Sequence, residues 1–300
     1  MACTLSYIRF PLLPLQKIQN MRRPQSNKDK RNTTGKTRDP RKKAHSKERI
    51  PSNVSKTKRV ASDPDLIRLN RYIANAGVCS RREADTYITA GNVTVNGKTI
   101  TEMGHKVKLS DIVKFDGRVL NPQKKEYVLL NKPKNFITTT SDEKGRRTVM
   151  ELISKASKSR LVPVGRLDRN TTGLLLFTND GDLAKKLTHP KHGIRKIYHV
   201  ELNRNLTAED LRNIQSGLTL DDGPINVDEI SYINNSPKRE VGIQIHSGRN
   251  RIVRRIFEHL GYEVKKLDRV IFAGLTKKDL PRGHWRHLTK QEVINLGMNQ

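Results

Sequence analysis

Residues 165–181 read GRLDRNTTGLLLFTNDG, a polar turn set between two apolar runs. Leu161 to Val164 before it and Leu174 to Phe177 after it have the length and character of buried strands. The turn, with Asp168 in it, is therefore held at the edge of a core. On turn chemistry alone, Asp168 is a residue whose carboxylate bonds the amide of Asn170 or Thr171.

Working outward, Tyr127 to Leu130 reads as another buried strand, stopped by Asn131-Lys132-Pro133. Val149, Leu152 and Ile153 suggest a helix, as does the run from Asp182 to Leu187. Tyr198, Val200 and Leu202 alternate with Ile197, His199 and Glu201, the period of a strand, and Thr207 to Gly217 carries Leu211 and Ile214 at helical spacing. Val241, Ile243 and Ile245 alternate in a strand that runs into Ser247-Gly248-Arg249-Asn250. Ile252, Val253, Ile256, Phe257 and Leu260 then form the stripe of a helix stopped by Gly261. Strands and helices mix without βαβ alternation, so the class is α+β: a mixed, largely antiparallel sheet flanked by helices over residues 125–300.

A smaller module is expected over 66–124. Leu69, Tyr72, Ile73 and Ala76 recur at helical spacing up to Gly77, Ser80 and Glu83 make a capping box for a second helix, and Val93 and Val95 alternate into an Asn96-Gly97 hairpin turn. Arg68, Arg71, Arg81, Arg82 and Lys98 fall on its polar side as candidate phosphate contacts. Arg81 and Arg82 sit in the first turn of the second helix, where free amides and the helix dipole favour a phosphate; the plain alternative is a solvated charged face.

The chain carries a net charge of +29. Residues 1–65 hold 17 Lys and Arg against 5 Asp and Glu, so a net of +17 remains on the rest and the folded part is itself basic. That distribution points to nucleic acid rather than a membrane surface. From Met21 to Asp65 there is no Phe, Trp, Tyr or Cys, and the stretch is expected to be a disordered basic extension, with translation starting at Met21. Cys3 and Cys79 are too few for a disulfide framework and fit a reducing, cytoplasmic setting. No phosphate loop, GxSxG or HExxH occurs, and the nine histidines show no metal-ligand spacing, so the reading expects no metal and no cofactor.

Two resemblances sharpen this. The stretch RLNRYIANAGVCSRREADTYITAGNVTVNG resembles the alpha-L RNA-binding module of the ribosomal protein S-four type. Residues 165–181 resemble the catalytic motif of the RsuA/RluB-type ribosomal RNA pseudouridine synthases, and Tyr127–Pro133, Arg195–Val200, Gly248–Phe257 and Val264–Thr289 resemble that family's other motifs. Two positions depart from the pattern: Asn135 stands where Gly is frequent, and Ile252 where Gln is common.

The resemblance implies that Asp168 acts on the ribose of a uridine, that Tyr198 stacks on the uracil, and that Arg254 pairs with Asp168. It also implies that Arg166 enters the RNA to support a flipped base, with Arg249 and Arg251 as further RNA contacts. Without it, Tyr198 is a core residue beside Val200 and Arg254 an ordinary phosphate contact. The implied partner is ribosomal RNA or a ribosomal subunit precursor, with a lean to the large subunit, bound by a monomer. The competing reading is a non-catalytic RNA-binding or assembly factor, which turnover would separate from an enzyme.

Overall fold

The structure, a computed structural model, describes residues 65–298. The expected disorder of the basic extension and the start at Met21 concern residues outside that range, apart from Asp65.

The first elements build a small module with its own core. β1 (Leu66–Arg68) leads into α1 (Leu69–Asn75), and α2 (Arg81–Thr89) follows. Both halves of the capping box at α2 form: the Ser80 side chain accepts from the Glu83 amide and the Glu83 carboxylate from the Ser80 amide. β2 (Val93–Val95) and β3 (Lys98–Thr99) join through Asn96 and Gly97, both with positive φ, as an Asn-Gly hairpin requires. The sequence pattern marks this one hairpin only. β4 (Lys106–Lys108), β5 (Val113–Phe115) and β6 (Arg118–Val119) enlarge it, β4 pairing with β1 and the others completing a sheet ordered β3-β2-β5-β6. Leu69, Ile73, Ala84, Ile88, Val107 and Val113 fill the space between helices and strands.

The larger body begins with β7 (Tyr127–Lys132), α3 (Val149–Ile153), β8 (Val162–Pro163), β9 (Thr172–Thr178) and α4 (Gly181–Thr188). It continues through β10 (Lys196–Leu202), α5 (Ala208–Ser216), the hairpin β11 (Leu218–Leu220) and β12 (Gly223–Ile225), β13 (Glu229–Tyr232) and β14 (Glu240–Ile245). α6 (Ile252–His259), β15 (Val264–Phe272), β16 (Leu275–Thr276), β17 (Trp285–His287) and α7 (Lys290–Met298) close it.

The main sheet runs β13-β14-β10-β15-β9-β7-β17, with β16 on β15 and β8 on β9. All its pairings are antiparallel except β15 with β9, so it is mixed and largely antiparallel, as expected. Val128, Leu130, Leu175 and Phe177 meet α3, α5 and α6 in one core; Leu129, Leu174 and Leu176 meet α4 and α7 in another.

The parallel contact explains Gly173. Its φ is +105°, and a Cβ there would lie 2.3 Å from the Arg269 carbonyl oxygen, so only glycine lets β9 run against β15 at this point. The join places the start of β9, and hence the turn before it, beside the middle of β15.

Candidate active site

The turn that carries Asp168 is fastened from beneath by a lysine. Lys132, at the end of β7, is fully buried, and its Nζ donates to the carbonyls of Pro133 (3.1 Å), Asp168 (3.1 Å), Arg169 (3.3 Å) and Thr171 (2.9 Å). Burial pushes this ammonium down to about 8 despite the opposing charge of Asp168. Asn135 adopts φ +70°, the left-handed backbone that asparagine tolerates, and its amide donates to the Arg169 carbonyl at 2.9 Å. On the other side, the Thr138 hydroxyl donates to the Leu167 carbonyl at 2.8 Å.

These bonds fix the backbone and leave the acid side chain out of it. The turn closes through the Thr171 amide and the backbone carbonyl of Asp168, 3.0 Å apart, so the expectation that the carboxylate itself caps the turn does not hold. The carboxylate is 37% exposed, and the Arg251 guanidinium stands 4.0 Å from it.

Asp168 lines a cavity of about 170 Å³ together with Arg166, Tyr198, Arg249, Arg251 and Arg269. An adjoining cleft of about 450 Å³ shares Arg166, Asp168, Arg249 and Arg251 with it and adds Thr138 and Asn250. Tyr198 is only 8% exposed and belongs to the hydrophobic core, and it also walls the cavity. Ile252 is buried at the start of α6 and lines the same cavity.

Arg254 is not where the resemblance put it. Its Nη1 donates to the Val264 carbonyl at 2.9 Å, its Nε is buried without a hydrogen-bond partner, and Arg251 makes the ion pair with Asp168. The cause lies in the backbone. Arg251 caps α6 in a left-handed conformation, φ +47°, which sets it at the mouth of the cavity, while Arg254, one turn later, faces β15. Asp168 still acts on Arg254 through its charge; burial and neighbouring Arg251 outweigh it and lower the Arg254 pKa. Arg249 is held by Asp222, at 3.3 Å, and by the Gly223 carbonyl, at 3.1 Å; Asp222 also takes two bonds of 2.8 Å from Arg255.

In the small module Arg68, Arg81, Arg82 and Lys98 are all exposed. Arg71 forms an ion pair with Asp182 in the first turn of α4, which joins the two folded parts. Its partner is 111 residues away, beyond the reach of local patterning.

Three residues of the site escaped the sequence reading. Lys132 was seen only as part of a strand breaker, although a lysine closing an apolar run is itself a signal of a buried, bonded charge. Lys196 lies on the same face of β10 as Tyr198, Val200 and Leu202, where a lysine at the start of the strand reads as solvated, and Arg269 lies on β15, whose register shifts against β10 break the alternation that would have marked it as inward-facing.

Residues 126–259 match the RNA pseudouridylate synthase family and residues 67–113 the S4 domain. The chain is 42% identical over 232 residues to the ribosomal large subunit pseudouridine synthase B of Bacillus subtilis (strain 168), covering 76% of this chain and 95% of that one. It is 37% identical over 235 residues to the dual-specificity RNA pseudouridine synthase RluF of Escherichia coli (strain K12), covering 77% and 78%. A crystal structure of a pseudouridylate synthase superimposes with a TM-score of 0.55 at 28% identity, covering 77% of this chain and 99% of that one. With its S4 module and its exposed carboxylate over a basic cavity, the chain belongs to the RNA pseudouridine synthase family.

Proposed function

We propose that this enzyme converts a uridine of ribosomal RNA, in the large subunit, to pseudouridine, with Asp168 as the catalytic carboxylate. The observation that carries the assignment is a side chain freed from its own turn. Backbone bonds hold the loop, and the Asp168 carboxylate opens on a cavity walled by Tyr198 and rimmed by arginines. The lean to the large subunit rests on the name of the Bacillus subtilis relative.

The isomerisation breaks the bond between ribose C1′ and N1, turns the uracil and joins C5 to the same carbon. An anionic group beside the sugar is required, either to bond C1′ or to balance its positive charge, as carboxylates do for glycosides. The Arg251 guanidinium, 4.0 Å away, steers the Asp168 carboxylate. Tyr198 provides a ring for the base to lie on. The target nucleotide leaves its stack to reach Asp168, at a cost of a few kcal/mol, and Arg166, exposed at the rim, fills its place. Arg249, Arg81, Arg82, Arg68 and Lys98 meet phosphate.

The protein acts as a monomer on rRNA or a subunit precursor in the cytoplasm; among the described residues no helix is long and apolar enough to cross a membrane.

Pseudouridine mapping of both rRNAs from cells lacking the protein, complemented with wild type or Asp168→Asn, tests this reading. One large-subunit site is expected to vanish and to return only with wild type. With purified protein, Asp168→Asn loses at least about 10⁴-fold in single-turnover rate while RNA affinity stays. Restoration of the site by Asp168→Asn at normal speed overturns the assignment.

A further inference from the structure

Two of the cations that line the Asp168 cavity, Lys196 and Arg269, sit in its wall with no acid bonded to either. Arg269 is 3% exposed. Its Nε donates to the Leu174 carbonyl at 2.8 Å, its guanidinium lies 4.5 Å from the centre of the Phe272 ring, and its Nη2 is buried with no hydrogen-bond partner. Lys196, paired in register with Phe272, donates to the carbonyls of His246 (2.8 Å) and Ser247 (3.2 Å), which uses two of an ammonium's three N–H groups. Burial and the charge of Arg269 push the Lys196 ammonium down to about 8. Asp228, the carboxylate acting in the opposite sense, is itself bonded to His246 at 2.6 Å.

A buried N–H without an acceptor and two like charges in one cavity wall are costly arrangements. A negatively charged oxygen entering the cavity would satisfy both. The choice between a phosphate and the base follows from the layout. Arg166 and Arg251 are exposed at the rim, whereas Arg269, Tyr198, Leu267 and Phe272 are buried walls. With ribose C1′ beside Asp168, the backbone phosphates stay with the rim arginines and the base points inward, between apolar walls that suit a flat ring.

We propose that Arg269 and Lys196 form an anion site for the uracil, donating to its carbonyl oxygens and stabilising the charge it carries while detached from the sugar. The inference rests on the reading of Asp168 as the group that acts on the ribose. When the C1′–N1 bond breaks, its electron pair goes to N1 and spreads over both carbonyl oxygens, whether the Asp168 carboxylate bonds C1′ or only balances its charge. After the base turns, C5 supplies a pair to C1′, and any carboxylate–C1′ bond breaks with its pair returning to Asp168. The C5 proton departs and N1 takes up a proton. Donors fixed in advance at the oxygens that gain charge speed such a step because they do not reorganise during it.

The test uses the full chain and a synthetic RNA of the mapped target, with uridine, 6-azauridine or an abasic ribose at the target position. Lys196→Met is expected to slow single turnover on uridine by about 100-fold. The loss is smaller on 6-azauridine, whose more acidic pyrimidine leaves as a weaker base, and the affinity for the abasic RNA is unchanged. Arg269→Gln repeats this pattern, and Arg269→Lys, which keeps the charge, recovers most of the rate. Should Arg269→Gln fail to fold, Lys196→Met decides alone. Weaker binding of the abasic RNA in step with the lost rate makes the pair a phosphate site and overturns the proposal. So does an equal loss on both pyrimidines, or a rate close to wild type. Asp168→Asn run alongside separates the two readings: its full activity overturns the assignment of Asp168 and this proposal with it, whereas an inactive Asp168→Asn beside an unaffected Lys196→Met overturns this proposal alone.

Discussion

A buried ammonium that touches only carbonyl oxygens is an unusual way to fasten a turn, and Lys132 does it with four contacts around Asp168. Replacing it by methionine keeps the volume roughly and removes every donor. The Pro133 and Thr171 carbonyls then lose this donor and those of Asp168 and Arg169 keep only the amides of Thr171 and Asn135; a buried acceptor left unsatisfied costs about 1–3 kcal/mol. Lys132→Met is expected to lower stability by roughly 3 kcal/mol, read by thermal unfolding, and to reduce single-turnover rate even where the protein remains folded. A variant with wild-type rate and melting temperature contradicts the role given to this lysine. At this scale the sequence was a partial guide. Asp168, Tyr198 and Arg251 stood out in the sequence by motif and line one cavity, and Asn135 stood out as a position where Gly is frequent and has a left-handed backbone. Arg254 was misplaced, since one left-handed residue at Arg251 decides which arginine reaches the acid, and no residue pattern announces it.

Among the elements, the helices α2, α5 and α6 and the strands β10 and β14 were visible as periodicities, because each has one face against a core, and β7 and β9 as unbroken apolar runs, because both of their faces are buried. β15 was not, although it lies at the centre of the sheet. It carries Lys265, Lys266, Asp268 and Arg269 among its apolar residues, and its register against β10 shifts twice. Its acid is bonded instead of solvated: Asp268 accepts from Thr172 (2.7 Å), Arg282 (2.8 Å) and Lys277, which ties the closing segment to the first residue of β9. Burial alone would raise this carboxyl, but hydrogen bonds from Arg282 and Lys277 and their charges bring it down to about 2. A carboxyl with a lowered folded-state pKa stabilises the fold above its unfolded value, near 4, and that contribution is lost as pH falls from about 4 toward 2. The shift corresponds to about 2 kcal/mol. Acid titration of stability is therefore expected to fall less steeply between pH 4 and 2 in Asp268→Asn than in wild type, with the variant less stable near neutrality. Parallel acid curves for the two proteins contradict this.

At the scale of the whole molecule, the small module is tied to the larger body by charge. Arg71 pairs with Asp182, the Arg81 guanidinium lies against Gly181 and feels the Asp182 charge, and Arg160 reaches Glu83 at 3.6 Å. The first two contacts meet the first turn of α4, the helix that follows directly on β9, so they set the distance between the module's exposed cations and Asp168. The net basic charge was plain from the sequence, and this docking was not, because it joins residues far apart in the chain. Exposed pairs of this kind contribute less than about 1 kcal/mol each, so the docking is weak enough for one charge reversal to disturb it. Asp182→Arg sets a cation against Arg71 and Arg81. It is expected to change global stability by less than about 1 kcal/mol, and to lower kcat/KM on long structured rRNA by about tenfold, because two linked contacts no longer hold one geometry. Single-turnover rate at saturating RNA stays near wild type, since nothing at Asp168 has moved. Adding Arg71→Asp to Asp182→Arg swaps the pair and restores kcat/KM if Arg71 serves docking. It leaves the defect, or deepens it, if Arg71 contacts RNA, and that outcome reverses the placement of Arg71 made from the structure.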